Sequence, residues 1–306
     1  MSNTATVLAF DFGASSGRAI RAVYDGQNLT YEEIHRFENV PIEKDGHLCW
    51  DVETLLKEIH TAIQKAGTFD SLGFDTWGVD FGLLDADGHL LANPVHYRDA
   101  RTNGKPEQAA ACMPAEELYA HTGNQIMAIN TLFQLLALQE QESELLQKAE
   151  QILFMPDLFA ALLGAEPVCE RSIASTSQML DPRTGQWSRE VLTAYGLKEN
   201  HFAPLVASGT VTGTLTTGAK IIAVAGHDTQ CASAAMPCAE EDVEHTAFLS
   251  CGTWSLLGTE LDTPILTADS CQSGLSNELG ANGKINYLKN IIGLWLIQES
   301  RREYKR

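Results

Sequence analysis

Near its start the chain places a short apolar run before an aspartate and a turn of small residues, Val7-Leu-Ala-Phe-Asp-Phe-Gly-Ala-Ser-Ser-Gly-Arg18. An apolar run of this length that stops at turn residues is typical of a buried strand. Two further strands are predicted from Arg18 to Tyr24 and from Leu29 to Phe37, with Asp25-Gly26 as the turn between them. The chain is therefore expected to begin as an antiparallel meander.

A helix and a fourth strand are predicted after the meander. Asp51 is a good N-cap, and the helix is expected to end near Gly67. Between these two positions apolar residues fall at helical spacing: Val52, Leu55, Leu56, Ile59 and Ile63. Ser71 to Trp77 predicts the next strand. Three strands, a helix and a strand in this order indicate an α/β fold with an RNase-H-like mixed sheet.

The later part of the chain repeats this local pattern. A second buried strand is predicted from Ile221 to Ala225, and it runs into Gly226-His-Asp-Thr229 and an alanine-rich helix. Thr246 to Ser250 and Trp254 to Leu257 are predicted to pair around Cys251-Gly-Thr253. Strand, small-residue turn and strand therefore occur at both ends of the sequence.

An acidic stretch, Glu240 to Glu244, is interpreted as the boundary between two lobes, residues 1–242 and 243–306. The first lobe is predicted to be mostly helical from about Lys105 to Leu163, and the chain to end in an amphipathic helix from Leu294. Roughly sixty residues after the boundary are few for a domain, so the second lobe is expected to be incomplete. Its strands are expected to lack partners and a covering helix layer, and so to favour association.

Composition excludes several classes of protein. The chain has 306 residues, of which 44% are hydrophobic, and 21 Lys and Arg against 40 Asp and Glu give a net charge of −19. This balance is typical of a soluble globular protein and disfavours nucleic acid or an anionic membrane surface as a partner. Seven scattered cysteines without a CxxC pair favour reduced thiols. With no signal-peptide pattern and no long apolar stretch, a cytoplasmic location is expected.

The turn from Gly13 to Arg18 is a candidate phosphate site. It lies between two predicted strands, whereas a Walker loop or a dinucleotide fingerprint opens a helix. Its successive backbone N–H groups and hydroxyls can hold phosphate oxygens, Asp11 can hold Mg²⁺ through water, and Arg18 adds a cation. The alternative is a β-hairpin with polar turn residues, and the pattern alone favours neither.

Asp228 is a candidate general base. It is predicted at a strand end beside a helix N-terminus, where a carboxylate can accept the proton of a hydroxyl that attacks a γ-phosphate. The alternative, which spacing alone favours, is that Asp228 only caps the following helix. His227 by itself is more typical of a hydrogen-bonded core residue than of an acid or base.

Two other polar segments could contact a sugar. Asp75-Thr-Trp-Gly-Val-Asp80 combines carboxylates for hydroxyl groups, an indole for the apolar ring face and Gly78 for close backbone approach. Tyr97-Arg-Asp-Ala-Arg-Thr102 could bind hydroxyls or form a surface ion-pair ladder, and the ladder is the usual role of such charge runs.

Taken together, six motifs in one order along nearly the whole chain resemble those of the FGGY carbohydrate kinases. The motifs are Asp11-Phe-Gly-Ala-Ser-Ser-Gly-Arg18, Asp75-Thr-Trp-Gly-Val-Asp80, Tyr97-Arg-Asp-Ala-Arg-Thr-Asn-Gly104, Gly226-His-Asp-Thr229, Ser250-Cys-Gly-Thr-Trp254 and Leu288-Lys-Asn-Ile-Ile-Gly-Leu-Trp295. The resemblance implies two actin-like lobes that close over a sugar and a nucleotide. It favours the functional reading of each motif over its structural alternative.

The resemblance also implies roles for individual residues. Asp228 matches the proton acceptor of the family. The residues that match ATP contacts are Ala14, Ser15, Ser16, Gly17 and Arg18 in the first phosphate loop, Thr253 in the second, and Gln298 in the last helix. The residues that match contacts to the ketose are Gly78, His227, Asp228, Thr229 and Asn290.

The implied reaction is ATP-dependent phosphorylation of a ketose with Mg²⁺. The motifs match most closely the branch of the family that converts L-rhamnulose to L-rhamnulose 1-phosphate. A kinase for another ketose, such as fuculose or xylulose, and a sugar-binding fragment without catalysis are the alternatives. In the family the second lobe continues past the position of Arg306 with a glycine-rich loop for the adenosine, so this chain is expected to match the N-terminal portion of such a kinase. The oligomeric state is left open.

Overall fold

The computed structural model describes residues 4–304. The side chains of Glu240, Glu241, Glu244, Gln298 and Arg302 lie outside this description. No helix in residues 4–304 combines the length and the apolar character needed to cross a bilayer.

The described chain contains both strands and helices, several of which follow one another without alternating. The strands are β1 (Ala5–Phe12), β2 (Ser16–Tyr24), β3 (Leu29–Glu38), β4 (Ile42–Lys44), β5 (His47–Cys49), β6 (Ser71–Thr76), β7 (Phe81–Leu84), β8 (Gln151–Phe154), β9 (Cys169–Glu170), β10 (Leu180–Asp181), β11 (Gln186–Trp187), β12 (Leu205–Val206), β13 (Thr210–Thr214), β14 (Lys220–Ala223), β15 (Phe248–Cys251), β16 (Trp254–Leu261), β17 (Leu275–Leu279) and β18 (Ile285–Ile292). The α-helices are α1 (Val52–Ala66), α2 (Lys105–Ala109), α3 (Ala115–Thr122), α4 (Thr131–Gln141), α5 (Ser143–Lys148), α6 (Met155–Leu162), α7 (Arg171–Ala174), α8 (Arg189–Ala194), α9 (Asp228–Ala234), α10 (Ala268–Gln272) and α11 (Trp295–Tyr304).

The first part of the chain is built on a six-stranded mixed sheet in the order β13-β14-β6-β1-β2-β3. The predicted meander is confirmed, because β1, β2 and β3 pair antiparallel, and β6 pairs parallel with β1. The strand predicted from Ile221 is β14, which pairs parallel with β6. The carboxyl ends of β1, β6 and β14 therefore meet at one edge of the sheet.

Helices cover this sheet as the apolar patterns predict. The N-cap Asp51 accepts a hydrogen bond from the backbone N–H of Thr54 at 3.1 Å, and α1 stops at Gly67. The helical middle is also confirmed, with α2 to α6 between residues 105 and 162. The ring of Phe159 in α6 stacks on that of Phe12 in β1, with centroids 4.8 Å apart. This contact fixes α6 against the sheet near the end of β1.

A second sheet, antiparallel and four-stranded, has the order β15-β16-β18-β17. The expectation that strands beyond Glu244 lack partners is wrong, because all four described strands pair in this sheet. On one of its faces Leu249, Leu257 and Ile291 are exposed. At its β17 edge the backbone N–H of Leu279 donates to Ser175 Oγ at 3.0 Å, which joins the two parts of the chain.

Candidate active site

A cavity of about 360 Å³ lies between the two sheets, at the carboxyl ends of β1, β6 and β14. Its wall contains residues from all six sequence motifs. The predicted site residues in the wall are Asp11, Ala14, Ser15, Ser16, Gly78, His227, Asp228, Thr229, Thr253 and Asn290. Positions up to 279 residues apart in sequence therefore surround one space large enough for a small ligand.

The turn between β1 and β2 is held from outside the cavity. The backbone N–H of Gly13 donates to the Ser16 carbonyl at 2.9 Å, and Asn39 donates through its side chain to the Gly13 carbonyl at 2.9 Å and through its backbone to the Ser15 carbonyl at 3.1 Å. Among residues 4–304 no acceptor is found for the backbone N–H groups of Ala14 and Ser15. The loop thus presents unpaired donors at the cavity, an arrangement that suits an anion.

Two predicted nucleotide contacts, Gly17 and Arg18, are not among the described residues of the wall, and a third, Gln298, lies outside the described side chains. Gly17 lies under the ring of Phe37, where an added Cβ would come within 2.3 Å of that ring. Arg18 turns to Asp11 and donates from Nε to its carboxylate at 2.7 Å. Gln298 belongs to α11, and its side chain is outside the described part of the chain.

Three aspartates converge where the strands end. Asp11 and Asp75 are register partners on β1 and β6, and Asp228 opens α9 after β14. Burial, with the charges of Asp11 and Asp228, raises the pKa of Asp75 well above its usual value. Of the three, Asp11 and Asp228 line the cavity. A carboxylate is the type of ligand that a hard divalent cation takes, so Asp11 could hold Mg²⁺ through water.

Asp228 has one occupied and one open oxygen. Its Oδ1 accepts hydrogen bonds from the Thr229 backbone N–H at 2.6 Å and the Thr229 hydroxyl at 3.2 Å, and lies 3.3 Å from His227 Nε2. No donor among residues 4–304 reaches Oδ2. Burial raises the pKa of Asp228, although the positive charge of His227 opposes this effect. An ionised Oδ2 can therefore accept a proton from a bound hydroxyl.

His227 is cationic over a wide pH range. Burial alone would lower its pKa, but the charge and hydrogen bond of Glu278, with the charges of Asp228 and Asp75, raise the pKa to about 9. Glu278 Oε2 lies 3.0 Å from His227 Nδ1. The imidazolium is therefore bracketed by two carboxylates, one on each nitrogen.

Backbone strain is present beside the cavity at Val79, which has a φ of 67°. This conformation is unfavourable for a β-branched residue and needs support from its surroundings. Thr176 and Thr131 supply it: Thr176 Oγ1 accepts from the Val79 N–H at 3.1 Å, and Thr131 Oγ1 donates to the Val79 carbonyl at 2.6 Å. The neighbouring Gly78 is thereby held against Thr176, and its backbone faces the cavity.

The second carboxylate of the predicted sugar motif has a structural role. Asp80 is fully buried and accepts hydrogen bonds from the indole N–H groups of Trp50 at 2.6 Å and Trp77 at 3.0 Å and from the Tyr97 backbone at 3.1 Å. Gln134 donates to its other oxygen at 2.8 Å. Asp80 therefore ties four segments together and does not line the cavity, whereas Trp77 does.

The charged segment after Tyr97 is not a surface ion-pair ladder, so the default interpretation of that motif is wrong. Arg101 is buried and donates to the Gln134 side chain at 3.0 Å. Asp99 accepts hydrogen bonds from the backbone N–H groups of Leu48 and Arg101. Arg98 lies against aromatic rings at the edge of the cavity.

Sequence reasoning missed several polar residues of the wall. They are Asn124, Gln125, Asn130, Thr176, Ser276 and Glu278. Ser276 and Glu278 belong to β17, and Ser276 Oγ accepts a hydrogen bond from the Gln125 backbone at 2.9 Å. A signal was present, because Ser276-Asn-Glu278 is a polar run inside a strand, but the sequence does not show that this run is buried.

Comparison with known proteins identifies the arrangement. A sequence profile described as "FGGY family of carbohydrate kinases, N-terminal domain" matches residues 6–234. This chain belongs to the FGGY family of carbohydrate kinases. The resemblance that the six motifs indicated is thereby confirmed.

Two curated relatives of this FGGY chain are rhamnulokinases. The rhamnulokinase of Bacteroides thetaiotaomicron is 41% identical over 307 residues, covering 96% of this chain and 63% of that protein. The rhamnulokinase of Enterococcus faecalis is 40% identical over 309 residues, covering 96% of this chain and 61% of that protein. The chain thus spans a little over three fifths of the length of these relatives.

Solved FGGY kinases share its fold. A gluconate kinase from Lactobacillus acidophilus superposes with a TM-score of 0.77 at 16% identity, covering 94% of this chain and 59% of the other. A xyloylose kinase from Brucella ovis gives a TM-score of 0.78 at 21% identity, with 95% and 61% covered. At these identities the likeness concerns the fold alone, and it confirms the expected actin-like α/β class.

Proposed function

We propose that this chain carries the sugar site and catalytic carboxylate of an ATP-dependent ketose kinase that converts L-rhamnulose to L-rhamnulose 1-phosphate. The observation that carries the proposal is Asp228 in the wall of a cavity, with no donor to its Oδ2 among residues 4–304 and with the unpaired N–H groups of Ala14 and Ser15 in the same wall. Identity of 40–41% to two rhamnulokinases favours L-rhamnulose over other ketoses. The assignment to residues 1–242 of the sugar-binding lobe and to 243–306 of the start of the nucleotide lobe is part of the proposal.

In the proposed reaction, Asp228 Oδ2 accepts the proton of the sugar hydroxyl at carbon 1. The hydroxyl oxygen forms a bond to the γ-phosphorus as the bond to the ADP oxygen breaks, so the sugar gains the phosphoryl group, Asp228 takes the proton, and ADP leaves with the electron pair of the broken bond. Gly78, His227, Thr229 and Asn290 orient the ketose. His227, as a cation, also holds Oδ1 of Asp228 so that the other oxygen faces the substrate.

The nucleotide phosphates are proposed to bind between the two sheets. The N–H groups of the loop from Ala14 to Ser16 receive them from the first sheet, and Thr253 does so from the turn between β15 and β16. Asp11 would hold Mg²⁺ through water, and that ion, when bound, offsets charge on the phosphate oxygens. Gly17, Arg18 and Gln298 complete the proposed set of ATP contacts.

The test is sugar-dependent ADP release by the 306-residue chain with MgATP and L-rhamnulose, L-fuculose or D-xylulose. We expect release with L-rhamnulose. Asp228→Asn should lower kcat by about 10²- to 10⁴-fold while sugar binding persists, because only the proton acceptor is removed. Asp269→Asn, an exposed aspartate in the first turn of α10, is the matched control and should keep full activity.

If the chain prefers another ketose, the proposed substrate is wrong but the proposed kinase activity stands. L-Rhamnulose binding without ADP release by folded wild-type protein would instead support the sugar-binding alternative. Normal turnover in Asp228→Asn would disprove the role of Asp228.

A further inference from the structure

A buried glutamate of the second sheet contacts residues on both sides of the candidate base Asp228. Glu278 lies on β17 and is only 4% exposed. Its Oε2 lies 3.0 Å from His227 Nδ1 and accepts a hydrogen bond from Gln230 Nε2 at 2.7 Å. His227 and Gln230 are about fifty positions away in sequence and flank Asp228, so one carboxylate oxygen contacts the turn on both sides of the candidate base.

The position of Glu278 is itself fixed by a polar network. Asn286 on β18 donates from Nδ2 to Gln230 Oε1 and to Ser233 Oγ, the latter at 2.9 Å. Because its amide oxygen is occupied in this way, Gln230 must turn its NH₂ group to Glu278. All of these side chains except Ser233 are buried, and of their polar atoms Asn286 Oδ1 is left without a partner among residues 4–304. The hydrogen bonds that the network does make, between buried groups, hold Gln230 and Glu278 in one geometry.

His227 transmits this geometry to Asp228. With Nδ1 at Glu278 and Nε2 at Asp228 Oδ1, both ring nitrogens face carboxylates, an arrangement that favours a proton on each nitrogen. The charged groups that face the ring are Glu278 from β17, Asp228 from α9 and Asp75 at the end of β6. A carboxylate on the far nitrogen fixes both the protonation and the orientation of an imidazole, as in other histidine sites.

We propose that Glu278 is a positioning residue of the phosphoryl-acceptor site, which holds the His227 imidazolium against Oδ1 of Asp228 so that Oδ2 faces the sugar hydroxyl. The inference rests on the proposed ketose kinase function and deepens it. It makes the second sheet a part of the sugar site, because the orientation of the base in the first part of the chain depends on a side chain from β17.

The test removes the charge of Glu278 and keeps the shape of its side chain. In Glu278→Gln the titration midpoint of His227, followed by NMR of ¹⁵N-histidine-labelled chain and assigned with His227→Gln, should fall from about 9 toward 6.5. With L-rhamnulose and MgATP, kcat should fall about 10- to 100-fold near pH 8, with a smaller change in KM, and the alkaline limb of the pH–rate profile should move to lower pH.

Two variants separate positioning from general damage. Glu278→Asp keeps the charge on a shorter side chain, so its His227 midpoint and kcat should lie between those of wild type and Glu278→Gln. Glu260→Gln changes a glutamate of the same sheet that pairs with Lys284 outside the cavity, and it should leave midpoint and kcat unchanged. Thermal melting by circular dichroism verifies that each variant is folded.

Each result bears on the proposal. An unchanged His227 midpoint in Glu278→Gln, or a lowered midpoint with wild-type kcat and pH profile, overturns it. Equal losses in folded Glu278→Gln and Glu278→Asp would mean that shape matters rather than charge, and would also overturn it. If the wild-type chain phosphorylates no ketose, the proposed function fails, and the His227 midpoint together with L-rhamnulose affinity by calorimetry still decides the role of Glu278.

Discussion

Among single residues, His227 couples the charge of the cavity to the stability of the fold. Its pKa is about 9 in the fold against 6.5 in the unfolded chain, so the folded state binds the proton more tightly. A raised pKa stabilises the fold fully below pH 6.5, and this contribution is lost as pH rises through 9. At about 1.4 kcal/mol per pH unit, the loss should reach about 3 kcal/mol.

Urea unfolding at pH 6 and pH 9.5 measures this effect. The free energy of unfolding should fall more steeply with pH in wild type than in His227→Gln, where the residue cannot titrate. Other groups also titrate in this pH range, and their contribution to the free energy of unfolding cancels when the two proteins are compared. The same pH dependence in both would show that His227 does not hold its proton through the fold.

The same residue scale shows what the sequence can and cannot predict. Asp11 follows an apolar run directly, and Asp228 follows one after Gly226 and His227, so their position near strand ends could be predicted from local pattern. Glu278 could not, because its neighbours His227 and Gln230 are about fifty positions distant and a polar residue in a strand is ordinarily taken as exposed. For Asp80 the error was the reverse. The sequence predicted a sugar contact, but this carboxylate is buried and accepts hydrogen bonds from the indole N–H groups of Trp50 and Trp77.

At the scale of elements, the contact between β2 and β3 fixes the phosphate loop. An added Cβ at Gly17 would approach the Phe37 ring to 2.3 Å, and that ring is buried against Phe12 with centroids 5.2 Å apart. Gly17→Ala should therefore lower the free energy of unfolding by about 1–3 kcal/mol through overpacking. Urea denaturation measures it, with Gly252→Ala as the control because its Cβ would meet nothing nearer than 3.4 Å.

A second substitution examines the cause. Phe37→Leu in the Gly17→Ala background makes room for the methyl group and should recover part of the loss. A Gly17→Ala protein as stable as wild type, or a double variant worse than the two single changes combined, would contradict the overpacking argument.

Long elements with strong patterns could be predicted, and short ones could not. The helix α1 has an N-cap, five apolar positions on one face and a terminal glycine, so its bounds follow closely from local chemistry. The pairs β9 with β12 and β10 with β11 are two residues long. Strands that short carry no periodicity, and they form only because the surrounding chain brings them together.

For the molecule as a whole, the two sheets are joined by a cation among aromatic rings. The guanidinium of Arg98 lies 5.2 Å from the ring centroid of Tyr97, 5.7 Å from that of Trp254 on β16 and 5.2 Å from that of Trp295 on α11. Tyr97 belongs to the first part of the chain and the two tryptophans to the second. Each such contact is worth about 0.5–1 kcal/mol at an exposed site, so together they restrain the relative position of the sheets.

Removing the Arg98 guanidinium, which contacts the rings of Tyr97, Trp254 and Trp295 and is here called the clamp, should raise local opening in the second sheet and α11 but not in the first sheet. In Arg98→Ala, amide hydrogen exchange should become faster in β16 and α11 and stay unchanged in β1 and β6, whose stability does not depend on the clamp. Arg98→Lys keeps the charge without the planar group and should give an intermediate rate. Arg183→Ala, which removes an exposed arginine paired with Asp181, controls for loss of a surface charge. Wild-type exchange in β16 and α11 of Arg98→Ala would mean that hydrogen bonds such as that from Leu279 to Ser175 hold the sheets together without Arg98.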